Sequence, residues 1–101
     1  MYEIIQSGTF KKWLKKLKDV KSRQKIIVRL EKIREGHLGS YRRIDSEVSE
    51  LKINYGPGYR LYFTIKNKKI VILLCAGDKG TQKRDIAMAH NIVKDWEVTN
   101  A

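Results

Sequence analysis

Two stretches of this chain carry side chains that could act on a phosphodiester. In Glu50-Leu51-Lys52-Ile53-Asn54-Tyr55, polar and apolar residues alternate, and the alternation resumes in Arg60-Leu61-Tyr62-Phe63-Thr64-Ile65 beyond Gly56-Pro57-Gly58. Leu51, Ile53, Tyr55, Leu61, Phe63 and Ile65 are expected on one face of a sheet. Glu50, Lys52, Asn54, Arg60, Tyr62 and Thr64 then share the other face, read as solvated. Pairing Tyr55 with Tyr59 sets Asn54 opposite Arg60 and Lys52 opposite Tyr62. Pairing Ile65 with Ile70 in the next hairpin sets Phe63 opposite Ile72 and Arg60 opposite Cys75. The chain leaves that strand through Gly77-Asp78-Lys79-Gly80-Thr81-Gln82, so Lys79 and Gln82 are expected at the same end as Asn54 and Arg60.

Lys52, Arg60 and Lys79, with Glu50 and Tyr62 nearby, suit RNA cleavage without a metal. That reaction deprotonates the ribose 2′-OH, stabilises an in-line phosphorane and protonates the departing 5′-oxygen. Arg60 offers a planar fork of donors for the developing charge. A lysine crowded by cations can lose its proton more readily and act as general base or acid, which makes Lys52 and Lys79 candidates. The plainer alternative is that Lys52 and Arg60 decorate a solvated sheet face and pair with Glu50. Neither a metal nor a cofactor is expected, since His37, His90 and Cys75 do not make a standard zinc set. His90 follows Ile86 by one helical turn and reads as a packing residue or a general acid. Gly56-Pro57-Gly58 is a turn, not a phosphate loop, because no GxxxxGK[ST] pattern is present.

The chain has 101 residues, enough for one domain with a modest core. Its formal charge of +11 and pI near 9.9 favour an anionic partner. The positive charge concentrates in the first third of the chain. One cysteine excludes an intrachain disulfide and points to a reducing cytoplasm. It sits in Ile70-Val71-Ile72-Leu73-Leu74-Cys75-Ala76, too short to cross a bilayer and read as a buried strand with Cys75 as a packing residue. The N-terminus lacks the pattern of a secretion signal.

Tyr2–Ile5 reads as a first strand. Phe10, Trp13, Leu14 and Leu17 recur at helical spacing, with Ser7 or Thr9 as cap. Asp19 and Val20 interrupt, and Ile26, Ile27, Leu30 and Ile33 define a second helix ending near Gly36. Gly39–Ile44 is a weak strand or extended loop, followed by a turn at Asp45-Ser46. Strands are expected at about 48–55, 59–65 and 69–76, the last two joined at Asn67-Lys68. Ile86, Ala89, Val93 and Trp96 predict a closing helix over about 82–97. The order β-α-α-β-β-β-β-α predicts an α+β fold: a small antiparallel sheet, an N-terminal helical hairpin and a C-terminal helix, with the helices mostly on one side. The lysine-rich first helix could lie on a membrane, but its Phe/Trp/Leu stripe is needed for the core, so no membrane partner is expected.

Phe10-Lys11-Lys12-Trp13-Leu14, Glu50-Leu51-Lys52-Ile53, Gly56-Pro57-Gly58-Tyr59-Arg60-Leu61-Tyr62-Phe63 and Gly77-Asp78-Lys79-Gly80-Thr81-Gln82 resemble segments of the RelE/ParE toxin superfamily, in its HigB-like addiction module killer branch. The resemblance runs over nearly the whole chain. It implies a RelE-like fold and a type II toxin silenced by a cognate antitoxin, a small helix-turn-helix protein. Most such relatives cut mRNA on the ribosome, whereas ParE relatives poison DNA gyrase. Arg60 matches the family's arginine after the turn, Lys52 a basic position in the preceding strand, and Lys79 the basic residue after the last strand. The histidine or tyrosine that some members supply from the final segment has no clear match here other than His90.

The expected catalytic set is therefore Lys52, Arg60 and Lys79, with Glu50 and His90 as further candidates. Expected RNA or ribosome contacts are Lys11, Lys12, Lys15, Lys16, Lys21, Arg23, Lys25 and Arg29 on the helices, with Asn54, Tyr62 and Gln82 around the cleft. The resulting expectation is a cytoplasmic, ribosome-dependent mRNA endonuclease. A gyrase inhibitor and a plain nucleic-acid-binding domain are the rival readings.

Overall fold

The computed structural model describes residues 1–99. Strand β1 (Glu3–Gln6) leads into helices α1 (Gly8–Lys16) and α2 (Val20–Arg34). Strands β2 (Arg42–Arg43), β3 (Ser49–Ile53), β4 (Tyr59–Lys66) and β5 (Ile70–Gly77) follow. A 3₁₀ turn at Lys79–Thr81 then leads into α3 (Gln82–Thr99). The fold is α+β, with one five-stranded sheet in the order β1-β5-β4-β3-β2. β2 to β5 are antiparallel neighbours, as expected, while β1 adds to β5 in parallel at the edge.

Ser7, rather than Thr9, caps α1: its Oγ accepts from the Phe10 N–H at 3.0 Å and donates to the Leu74 carbonyl at 2.5 Å. One side chain thus starts the helix and ties it to β5, and such a cap contributes roughly 1 kcal/mol. Asp19 occupies the N-cap position of α2, and Val20 opens that helix instead of interrupting it. Ile26, Leu30 and Ile33 are buried as the spacing predicts, but Ile27 faces solvent.

Two of the three helices lie on one side of the sheet, and α3 lies on the other. Phe10, Ile26, Leu30 and Ile33 pack with Leu51, Ile53, Leu61, Phe63, Val71 and Leu73 on one face of the sheet. Ala89 and Val93 of α3 cover the other face, against Val48, Tyr62, Ile72, Leu74 and Cys75. The face expected to be solvated is therefore roofed at its centre, and Tyr62, Thr64 and Arg60 are buried. An 8-residue central strand with bulky groups on both sides needs a second layer to keep Tyr62 and its neighbours out of water.

Both hairpin registers differ from the simple alternation. Ile53 pairs with Tyr59, so Lys52 lies opposite Arg60 and Glu50 opposite Tyr62. The turn takes all of residues 54–58, with Gly56 at φ +60° and Gly58 at φ +75° supplying the left-handed positions it requires. A slip of two residues preserves the face of every side chain, which is why the two faces were assigned correctly from a wrong register. In the next hairpin, Ile65 pairs with Val71 and Phe63 with Leu73. A bulge then intervenes, and Tyr62 pairs with Cys75 and Arg60 with Gly77. Leu74 is the extra residue, and it and Cys75 both point into the α3 side.

Candidate phosphate-chemistry site

Two rungs cross the sheet beneath the start of α3. The outer rung runs Lys52–Arg60–Gly77, and the inner one runs Arg42–Glu50–Tyr62–Cys75. Partners on a rung stand about 4.5–5.5 Å apart, so the outer rung sets two cations side by side. Like charges directly opposite each other oppose folding. A sequence that tolerates this pairing breaks a local rule where function commonly does so.

Lys52, Arg60 and Lys79 line one open groove together with Asn54 and the Gly56-Pro57-Gly58 turn. The cluster expected from the sequence is thus assembled, with Asn54 at its edge. Lys52 Cε and Arg60 Nη1 lie 3.8 and 3.9 Å from the point where a Cβ on Gly58 would stand. Arg60 donates from Nη1 to the Gly58 carbonyl at 3.1 Å, and its Nε lies 3.9 Å from Glu50 Oε2. With 9 % of its surface exposed, Arg60 is a buried guanidinium whose edge reaches the groove, not a side chain on a solvated face.

Glu50 is buried beneath the groove. Gln82 donates to its Oε2 at 3.0 Å, and Arg42 Nη2 approaches Oε1 at 3.4 Å. Glu50 therefore links β2, β4 and the first turn of α3 around Arg60. Pairing with Glu50, proposed as the plainer role of the cations, does occur for Arg60. Gln82, expected on RNA, is instead occupied in this support.

Gly77-Asp78-Lys79-Gly80-Thr81-Gln82 forms a cap whose contacts fix the backbone on either side of Lys79. Asp78 accepts from the Gly80 N–H at 2.8 Å and forms a reciprocal capping box with Thr81. Thr81 Oγ1 donates to Asp85 Oδ2 at 2.5 Å. A Cβ on Gly77 would collide with that carboxylate and with the Thr81 hydroxyl. Asp85 is almost completely buried, and Arg84 Nε lies 3.5 Å from its Oδ1. Asp85 is not among the residues expected at the site. Its signal was a carboxylate four residues after Thr81, inside the apolar stripe of a helix and in its first turn, where the helix dipole favours negative charge.

Tyr62 is fully buried, which excludes it from direct RNA contact. Its hydroxyl has no partner at hydrogen-bonding geometry, and burial, then the nearby Glu50 and Asp85 carboxylates, push its pKa well above the usual phenol range. Burial, and secondarily Asp85, push the Cys75 thiol up to about 12, and its Sγ lies 3.2 Å from the Asp85 carbonyl. Cys75 is a packing residue, as the strand pattern implied.

His90 is engaged elsewhere. Its Nε2 lies 2.7 Å from Asp45 Oδ2 and its Nδ1 3.9 Å from Glu47 Oε1, which ties α3 to the loop before β3. This is the wrong place for a general acid of the groove. Arg29 donates to the carbonyls of Leu38 and Ser40 at 3.2 and 2.8 Å, holding the loop after α2 rather than presenting its fork to RNA. Lys25 Nζ stands 5.5 Å from the centre of the Tyr55 ring, beside the groove's turn. Lys11, Lys12, Lys15, Lys16 and Lys21 are exposed, and Arg23 is half-buried. Among the described residues, no three His, Cys, Asp or Glu side chains converge as metal ligands, and no helix is long and apolar enough to cross a membrane.

A family model described as phage-derived protein Gp49-like (DUF891) matches residues 12–94. The chain belongs to the Gp49-like family. That family is toxin-like, of the RelE/HigB type found in toxin–antitoxin systems, in keeping with the resemblance carried by the Gly-Pro-Gly-Tyr-Arg and Gly-Asp-Lys-Gly-Thr-Gln segments. A Haemophilus influenzae protein, itself described only as uncharacterized, is 39% identical over 93 residues, spanning 92% of this Gp49-like chain and 94% of that protein. No solved structure matched the chain.

Proposed function

We propose that this Gp49-like chain is the toxin of a type II toxin–antitoxin pair and cuts translated mRNA through the ribose 2′-OH. The convergence of Lys52, Arg60 and Lys79 on one groove, with Arg60 braced from behind by Glu50, is the observation that carries this reading.

The proposed reaction is an internal transfer at phosphorus. A deprotonated lysine takes the 2′-OH proton, the 2′-oxygen attacks the phosphorus in line, and the bond from phosphorus to the 5′-oxygen breaks. A protonated lysine across the groove returns a proton to that oxygen. Lys52 and Lys79 fill these two roles on opposite sides of Arg60. Arg60 binds the non-bridging oxygens and stabilises their growing charge. Glu50 orients Arg60, and Asn54 with the exposed lysines of α1 holds the RNA backbone. An open groove suits a substrate whose geometry is fixed by a larger body, and the ribosome supplies that constraint.

The test is expression of the chain in growing cells, with mapping of mRNA 5′ ends while translation runs and while it is blocked. New ends confined to translated regions, absent when initiation is stopped, are expected. Growth arrest with intact mRNA would overturn the cleavage reading.

A further inference from the structure

Tyr55 has no part in the chemistry above, yet it lines the groove beside Lys52 and Arg60. Strand alternation predicts it on the apolar face. Strand β3 ends at Ile53, however, and the turn over residues 54–58 frees Tyr55 from that alternation. Its ring packs partly on the core and stays half-buried. Its backbone is held on both sides: the Tyr55 N–H donates to the Ile53 carbonyl at 2.9 Å, and the Tyr55 carbonyl accepts from the Gly58 N–H at 3.2 Å. A planar aromatic surface is thereby fixed at the rim of a cluster of cations. The groove holds about 340 Å³, within the roughly 300–1,000 Å³ typical of small-molecule sites, so it has room for more than a phosphate.

We infer that Tyr55 is the stacking platform for a nucleobase of the RNA strand whose phosphate lies on Lys52 and Arg60. The inference rests on the proposed reading only in that RNA occupies the groove; it does not need cleavage. Every base offers a π face, so an aromatic ring beside a cationic track binds single strands with little regard to sequence. In the free chain, Lys25 Nζ stands 5.5 Å from the centre of this ring. A single ammonium over a partly exposed ring is held more weakly than a stacked base. The base therefore displaces Lys25, whose charge moves to a phosphate of the same strand. Core packing asks only for an apolar side chain, so Tyr55→Leu separates that role from stacking.

The probe is a short single-stranded RNA with 2′-methoxy groups, which cannot be cut through the 2′-oxygen, beside an abasic strand of equal length. Both are titrated into the full chain at low ionic strength and followed by NMR. The intact strand should bind about 10-fold more tightly than the abasic one and shift the Tyr55 ring signals most. Tyr55→Phe should keep that preference. Tyr55→Leu should lose it while binding the abasic strand as the parent does. Equal binding of the two strands by the parent, failure to bind either, or a preference that survives Tyr55→Leu would overturn the inference. These readings stand apart from cleavage. If mRNA is cut in cells but the base preference is absent, only the stacking role falls. If the preference is present and mRNA stays intact, the stacking role stands and only the cleavage reading falls.

Discussion

The carboxylate of Asp85 occupies the space that any side chain on Gly77 would need. This contact joins the end of β5 to the first turn of α3 and, through Thr81, fixes the backbone that carries Lys79. Gly77→Ala is therefore expected to destabilise the fold by about 1–3 kcal/mol, the usual cost of forcing a methyl into a packed site. It should also depress growth arrest more than that loss explains, because Lys79 moves. Urea unfolding and growth curves at matched expression check both effects. An Ala variant as stable and as toxic as the parent would show that the close approach is dispensable.

Arg60→Ala should reduce the cleavage rate on the order of 100- to 1000-fold, the loss typical for one transition-state donor. Because Arg60 is buried against Glu50, the substitution should also cost stability, roughly 1–3 kcal/mol for the carboxylate left with fewer partners. Arg60→Lys retains the charge but not the planar fork and should not restore the rate. Folded Arg60→Ala protein, verified by circular dichroism, that still arrests growth would remove Arg60 from the chemistry.

The ends of the products report the route. Attack by the 2′-oxygen leaves a 2′,3′-cyclic phosphate, or a 3′-phosphate after its hydrolysis, on the upstream fragment. Treatment with a phosphatase acting on cyclic phosphates should be required before that fragment can be extended. A free 3′-hydroxyl would rule the 2′-OH route out and, with it, the proposed roles of Lys52 and Lys79.

Asp45 accepts backbone N–H bonds from Glu47 and Val48 and faces His90, and these contacts hold its carboxyl below the usual range. A folded-state pKa that is lowered adds stability above the unfolded value, about 4, and loses it as pH falls through the folded value. Asp45→Asn should thus be less stable than the parent at pH 7, and the gap should close as pH falls below about 4. Urea midpoints of both proteins from neutral to strongly acidic pH give the comparison. A gap independent of pH would mean that the Asp45 charge contributes nothing.

Much of this site was legible because β-strand alternation is robust to error. Lys52 and Arg60 were assigned to one face through a register two residues wrong, and Lys79 to the same end although Gly77, not Cys75, pairs with Arg60. The bulge at Leu74 has no signature in a run of aliphatic residues that fits either face. The helix stripe at Ile86, Ala89 and Val93 announces a buried side but not which face of the sheet it covers. Hence Tyr62 and Arg60 looked solvated and are not. The partner of His90 was hidden for a related reason: Asp45 reaches it only through how α3 docks, which is a tertiary outcome, whereas the Thr81–Asp85 contact is local, four residues apart. Ile27 fitted the apolar spacing of α2 and still faces outward, so periodicity alone could not separate a core position from a surface one.

The support beneath the groove has a genetic consequence. Glu50 is held from β2, β4 and α3, and the turn that carries Lys79 is fixed by the contacts of Gly77, Thr81 and Asp85 with one another. In a population forced to survive an unneutralised copy of this chain, escape lesions should fall on Gly77, Thr81, Gln82 and Asp85 as well as on the three cations. Silencing such a gene takes one of many single changes, whereas restoring it takes one particular reversal, so inactive copies should accumulate wherever its product is a burden.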